Sequence, residues 1–170
     1  NDRYRDYVRG SQWDRTPGYA FGSGKSLYDL HKLVTGSCLD YYKFDEPEQT
    51  LNYVECHDNY TFYDFGYYAI SQSDEDVRNA ARLALELILI SVGVPFIHAG
   101  QEFFRTKRGV ENAYNSSDYI NMIDYRRRDE YMDNVNVIRD LIQIRKEYEC
   151  FRISTKEEII DRVHILDGVV

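Results

Sequence analysis

The order of secondary-structure signals constrains this chain more than any single motif in it. Thr50-Leu51-Asn52-Tyr53-Val54-Glu55-Cys56 reads as a short strand after the Glu46-Pro47 break, and a polar, aromatic loop runs on from His57 to about Gln72. Ser73 then suits a helix N-cap, with Asp74, Glu75 and Asp76 matched to the positive end of the helix dipole. Val77, Ala81, Ala84 and Ile88 follow at helical spacing, so a helix is expected to about Val92. Its second half is apolar nearly all round apart from Glu86, as expected for a helix wedged between a sheet and another layer. Gly93-Val94-Pro95 breaks it and releases a buried strand, Phe96-Ile97-His98-Ala99. Gly100 opens a second loop, rich in Arg, Asn, Tyr and Ser, that reaches about Asn134; a loop so long inside a compact domain is usually functional. After an Asp133-Asn134 cap, Val137, Leu141, Ile144 and Tyr148 mark one face of a further helix.

The alternation of strand, loop and helix predicts an α/β fold with parallel strands and right-handed crossovers. In barrels of this kind the loops at the C-terminal ends of the strands hold the active site. Upstream, Leu27, Leu30, His31 and Val34 predict one more short helix before Gly36, and Gly18, Gly22 and Gly24 loosen the loop that precedes it. Downstream of Cys150, Ile159-Ile160 and Val163-His164-Ile165-Leu166 read as strands, which suggests a division into residues 1–152 and a β domain opening at 153–170. A complete eight-stranded barrel needs roughly 250 residues. This chain supplies two βα units and the end of a third, so it is part of a barrel or a smaller α/β domain.

Composition narrows the partners. A chain of 170 residues that is 43% hydrophobic can bury one sizeable core. Its net charge of -8 leaves no basic face for phosphates, so nucleic acid is not an expected partner. The longest apolar run, residues 87–92, holds a polar Ser91 and falls far short of bilayer length, so no membrane partner is expected either. Cys38, Cys56 and Cys150 are odd in number and lack metal-ligand spacing, which argues against a disulfide framework and mildly favours a reducing, cytoplasmic compartment.

The sharpest motif is Tyr53-Val54-Glu55-Cys56-His57-Asp58-Asn59. Neighbours within a strand point to opposite faces, so His57 and Asp58 face one cavity only if the strand ends near Cys56. A carboxylate and an imidazole there would grip vicinal sugar hydroxyls; the bland alternative is a turn-capping Asp beside a surface His. Cys56 and His57 are too close in sequence to meet as nucleophile and base, and Glu55, His57 and Asp58 lack a second ligand cluster, so thiol chemistry and a metal site are the poorer readings. His98 suits a packed interior position, and His31 and His164 default to structural roles. Tyr114 stands in a polar loop, where a ring can stack on a pyranose.

Residues 47–59, Pro47-Glu48-Gln49-Thr50 and onward through His57-Asp58-Asn59, closely resemble the seventh-strand signature of type I pullulanases of the α-amylase superfamily of glycoside hydrolases. Gly93-Val94-Pro95-Phe96-Ile97-His98-Ala99-Gly100-Gln101-Glu102-Phe103 is similar to that superfamily's eighth strand. Arg105-Thr106-Lys107, Asn112, Tyr114, Ser116, Asp118, Asn121 and Ile123-Asp124-Tyr125 look like the loop that follows, and Asn1-Asp2-Arg3-Tyr4-Arg5-Asp6 resembles the sixth-strand exit. The resemblance covers nearly the whole chain and implies the C-terminal part of a catalytic (β/α)8 TIM barrel, its last strands and helices, followed by the start of a C-terminal β domain.

Carried over residue by residue, the resemblance implies that Asp58 is the third catalytic carboxylate, stabilising an oxocarbenium-like transition state with His57 assisting. The nucleophilic Asp and general-acid Glu of the retaining mechanism belong to the fourth and fifth strands, upstream of this chain, and no residue here takes those roles. The implied substrate-binding residues are Asn59, Glu102, Arg105, Tyr114, Asn121 and Asp124. Cys56 and Tyr60 depart from many relatives. The expected reaction is hydrolysis of α-1,6-glucosidic bonds in pullulan and branched α-glucans, with an α-glucan polysaccharide or oligosaccharide as partner. No metal or cofactor is expected in this stretch; calcium elsewhere in the full-length protein and self-association of the fragment through open strand edges are left open. The rival readings are an α-1,4-acting hydrolase or transglycosidase of the same superfamily, and a non-catalytic glucan-binding half-barrel.

Overall fold

Ser73 caps the longest helix as its sequence predicts, its hydroxyl oxygen accepting from Asp76 N–H at 3.1 Å. The computed structural model describes residues 1–24, 26–39, 44–164 and 166. In chain order the helices are α1 (Asp2–Val8), α2 (Leu27–Val34), α3 (Phe62–Asp64), α4 (Asp74–Ile90), α5 (Asp118–Asn121), α6 (Tyr125–Glu130), α7 (Met132–Glu147) and α8 (Lys156–Arg162). The strands are β1 (Gly10–Ser11), β2 (Thr16–Pro17), β3 (Leu51–Asn52) and β4 (Val94–Pro95). The first two form an antiparallel hairpin. β3 and β4 pair in parallel with Leu51 opposite Val94, and a parallel bridge joins Thr35 to Val92. The mixed helix and strand content and the parallel pairing across α4 are those of the α/β reading. Among the described residues no helix is long and apolar enough to cross a membrane.

The main core packs α4 through Ala80, Ala81, Ala84, Leu87 and Ile88 against Tyr4 and Val8 of α1, Leu33 of α2, Val54, Phe62 and Phe104. The opposite side of α4 carries Leu85 and Leu89 onto Ile138 of α7. Both faces are therefore buried, the reason its second half is apolar nearly all round. The C-terminal end of α4 is capped from α7: the buried Arg145 guanidinium donates to the carbonyls of Leu89 (2.8 Å), Ser91 (2.7 Å) and Gly93 (2.7 Å). Gly93 has φ +105°, and a Cβ there would sit 2.3 Å from Thr50 Oγ1, so the turn from α4 into β4 needs glycine.

Four expectations change. The first strand is shorter and the second lies earlier than expected: β3 covers only Leu51–Asn52, and β4 is Val94–Pro95, within the expected break, while Phe96-Ile97-His98-Ala99 form no strand and none of the four is fully buried; the ladder closes where Phe96 N–H donates to Asn52 O at 2.9 Å. The long loop from Gly100 to Asn134 holds two short helices, α5 and α6. The helix expected after an Asp133-Asn134 cap begins at Met132; Asn134 instead bridges segments, accepting from Arg82 Nε (2.7 Å) and donating to Glu102 O (2.7 Å). Ile159 and Ile160 lie in α8 rather than in a strand, because Thr155 caps a helix there by accepting from Glu158 N–H at 3.3 Å. Ile159 packs with Cys38, Val92 and Ile153. Of the expected strand Val163-His164-Ile165-Leu166, Val163 ends α8 as its C-cap, His164 and Leu166 lie in no strand, and Ile165 lies outside the described residues.

Candidate active site

Where the chain leaves β3, burial sorts neighbouring side chains into two sets. Glu55 turns inward and is almost wholly buried, its carboxylate accepting from Phe62 N–H at 2.5 Å and from His98 Nδ1 at 2.9 Å. His98 Nε2 lies 3.1 Å from Arg105 Nη1. A guanidinium only donates, so Nε2 is the acceptor and the Nδ1–H is the donor to Glu55. Arg105 Nη2 donates in turn to Asn121 O at 2.8 Å. One chain of polar contacts thus ties the loop after β3 to the loop after β4.

The next residues turn outward. The side chains of His57 and Asp58 are 86% and 71% exposed, with His57 Nε2 3.4 Å from Asp58 Oδ1. They project into solvent from a tight turn in which Asn59 adopts φ +62°, a left-handed conformation that asparagine tolerates. Asn59 Oδ1 accepts from Gln12 Nε2 at 2.8 Å, and the same amide donates to Glu111 Oε1 at 2.7 Å. Beneath the turn lies the buried Lys107, whose ammonium donates to the carbonyls of His57 (3.4 Å), Asn59 and Glu111 (3.1 Å). Burial pushes that ammonium below its ordinary value, opposed by the Asp64 carboxylate. Asp64, itself buried, accepts from the Thr106 hydroxyl and from Lys107 N–H (2.6 Å); burial raises its pKa in spite of these bonds. The Arg9 guanidinium lies 5.0 Å from the Phe65 ring centre, donates to Tyr60 O at 3.2 Å, and is pushed down to about 10 by burial.

The expected binding residues do not form one surface. His57, Asp58 and Asn59 share the turn. Arg105 and Asp124 line a cleft of about 300 Å3 with Phe103, Thr106, Tyr119 and Arg127. Asp124 also caps α6, and its hydrogen bonds with Arg126 pull its carboxyl down to about 2. Asn121 spends its amide on the carbonyls of Ala113 (2.8 Å) and Ser116 (3.0 Å), a bracing role within the loop. Glu102 lies apart, lining a separate cleft with Ile97, Val135, Ile138 and Ile142. Tyr114 is 84% exposed. Cys56, His57 and Asp58 offer ligand atoms within 4.8 Å of one another, yet a half-buried thiol beside two exposed side chains on consecutive residues makes no preorganised metal cage. The cysteines are all free thiols.

Reading the sequence by local pattern missed Glu55, Gln12, Lys107 and Asp64 as parts of the site. Each works through a partner at least several residues away, and no spacing rule signals that. An acidic residue two positions before a His-Asp pair is the nearest thing to a signal.

Comparison with protein-family models gives no match. Curated relatives and solved structures do match. The chain is 44% identical over 166 residues to a pullulanase of Bacillus subtilis (strain 168), which covers 94% of this chain and 23% of that protein. The crystal structure of a pullulanase from Anoxybacillus sp. LM18-11 superposes with a TM-score of 0.93 at 38% identity, covering 99% of this chain and 24% of that one. The crystal structure of pullulanase type I from B. subtilis str. 168 complexed with maltose gives a TM-score of 0.90 at 43% identity, covering 95% of this chain and 23% of that one. The chain therefore shares its sequence pattern and its fold with one segment of these pullulanases. Over nearly its whole length it matches pullulanases, a type I enzyme among them, and it spans about a quarter of the length of the relatives it matches.

Proposed function

We propose that this chain is the C-terminal portion of the catalytic (β/α)8 barrel of a debranching enzyme that cleaves α-1,6-glucosidic bonds in pullulan and branched α-glucans by a retaining mechanism. Residues 1–152 make up the barrel portion, and residues 153–170, which include α8, are the start of a C-terminal β domain. The observation that carries the reading is the exposed His57–Asp58 pair, presented on a braced turn just beyond a parallel strand, in a chain 44% identical to a pullulanase over nearly its whole length. Relatives solved in complex with maltose, maltotriose and maltotetraose support an α-glucan as ligand.

In this reading Asp58 accepts hydrogen bonds from two vicinal hydroxyls of the glucose at the cleavage site, and His57 donates to a neighbouring oxygen. These contacts tighten as the ring flattens toward an oxocarbenium ion, so they lower the barrier more than they improve ground-state binding. The nucleophile and the general acid stand on other strands, outside this chain. Tyr114 supplies a stacking face, while Arg105 and Asp124 shape the rim. The test is product analysis with the full-length enzyme on pullulan. Release of maltotriose with retained anomeric configuration, followed by proton NMR, supports the reading; panose-type products from α-1,4 cleavage, or transfer products, favour the rival enzymes of the superfamily.

A further inference from the structure

We propose that Lys107 is a positioning residue for catalysis, its ammonium fixing the turn that carries His57 and Asp58. The inference rests on the reading of Asp58 as the transition-state stabiliser and adds to it the device that aims Asp58.

The side chains of His57 and Asp58 are mostly solvated, and among the described residues their polar atoms pair with each other alone, so their direction is set chiefly by the backbone beneath them. Gln12 holds the Asn59 side chain and Arg9 the Tyr60 carbonyl, but the carbonyls flanking Asp58 share one donor group. The Lys107 ammonium has three donors, and they go to His57 O, Asn59 O and Glu111 O, the first two lying on either side of Asp58. No carboxylate pairs directly with this ammonium among its hydrogen-bond partners, although the residue is only 2% exposed. Burying an ammonium against carbonyls alone is costly, and the same packing could be achieved by an apolar side chain at lower cost. What the cation adds is a clamp with two points on the turn and one, Glu111 O, on its own loop. Lys107 is itself anchored, because its N–H donates to Asp64 Oδ2 at 2.6 Å while the Thr106 hydroxyl takes the other oxygen of that buried carboxylate. Asp64 N–H in turn donates to Thr61 Oγ1 at 3.0 Å, starting α3 directly after the turn. The turn is therefore held at both ends by the loop after β4, and a sub-ångström shift of Lys107 moves Asp58 with it.

The experiment is a double-mutant cycle in the full-length enzyme, with kcat and KM on pullulan measured for wild type, Lys107→Met, Asp58→Asn and the pair. Lys107→Met is expected to lower kcat by about 100-fold with KM changed no more than about threefold, the size of loss that misplacement of a reacting group produces. In the Asp58→Asn background the same substitution is expected to lower kcat by less than about threefold, because there is no longer a carboxylate to aim. Equal losses in both backgrounds overturn the positioning role and make Lys107 a general support of the fold. Near-normal kcat for Lys107→Met beside a crippled Asp58→Asn overturns it too and leaves the reading of Asp58 standing. Near-normal kcat for Asp58→Asn overturns both. If Lys107→Met does not fold, Lys107→Arg, which keeps a buried cation but moves its donors, carries the same cycle with a smaller expected loss. If Asp58→Asn turns over too slowly to measure, the cycle is read on binding of an iminosugar against maltotriose. The Lys107 variant is then expected to weaken the iminosugar alone, and equal weakening of both ligands overturns the role.

Discussion

Replacing Glu55 separates the two jobs its buried carboxylate performs. It accepts from Phe62 N–H and from His98 Nδ1–H, and His98 cannot switch tautomer to relieve a loss because Arg105 needs Nε2 as an acceptor. Glu55→Gln keeps one oxygen and presents an NH2 group to the other donor, orphaning one buried N–H. Leaving a buried donor unsatisfied costs about 1–3 kcal/mol. Glu55→Met removes both acceptors, so two donors are orphaned and the cost rises to about 2–6 kcal/mol. Either substitution also withdraws the charge that favours the buried cations of Arg9 and Lys107, which adds to the loss in both variants. In a domain of about 150–250 residues each kcal/mol lowers Tm by about 2–4 °C, and in the larger full-length barrel by less. Thermal unfolding of the full-length protein, followed by calorimetry, should therefore rank wild type above Gln and Gln above Met. A silent Glu55→Gln, or equal Tm values for the two variants, would refute the claim that both donors depend on the carboxylate.

Three further outcomes are expected. Arg145→Met leaves the carbonyls of Leu89, Ser91 and Gly93 without a donor and should destabilise by about 2–4 kcal/mol, read as a lowered urea midpoint with an unchanged m-value. In the full-length enzyme Tyr114→Ala should lower kcat/KM on branched α-glucan by about 1–3 kcal/mol with little change in Tm, since the ring is exposed, whereas Tyr114→Phe keeps most of the stacking; equal damage from Phe and Ala would remove the stacking role. The 170-residue chain by itself should release no reducing sugar from pullulan, and hydrolysis surviving rigorous purification would overturn the assignment of the other two carboxylates to other strands.

What could be read from the sequence follows a physical division. The helices α2 and α4 carry their signals locally, in a run of apolar residues at helical spacing and, for α4, in the Ser73 cap and its acidic first turn, and both appear where expected. α8 was legible by the same rules but masked by two adjacent isoleucines. Ile159 is buried while Ile160 is 59% exposed, and Val163 packs on the buried side, a helical period that β-branched neighbours disguise. The strands were overestimated because β propensity marks where a chain is extended, whereas a ladder also needs a partner, and the pairing stops at Asn52. At the site, the exposed pair His57–Asp58 was legible as a motif. Its supports were not: Glu55, Gln12, Lys107 and Asp64 act across separations of many residues, and only the tertiary fold brings their partners within reach.

The most direct test of the account is the kinetics of Asp58→Asn in the full-length enzyme acting on pullulan. The substitution preserves shape and removes the charge, so if Asp58 holds the sugar ring most strongly at the transition state, kcat should fall by orders of magnitude while KM, or the Kd for maltotriose, changes little. A near-normal kcat with only a raised KM would contradict the account and assign Asp58 to uniform substrate binding.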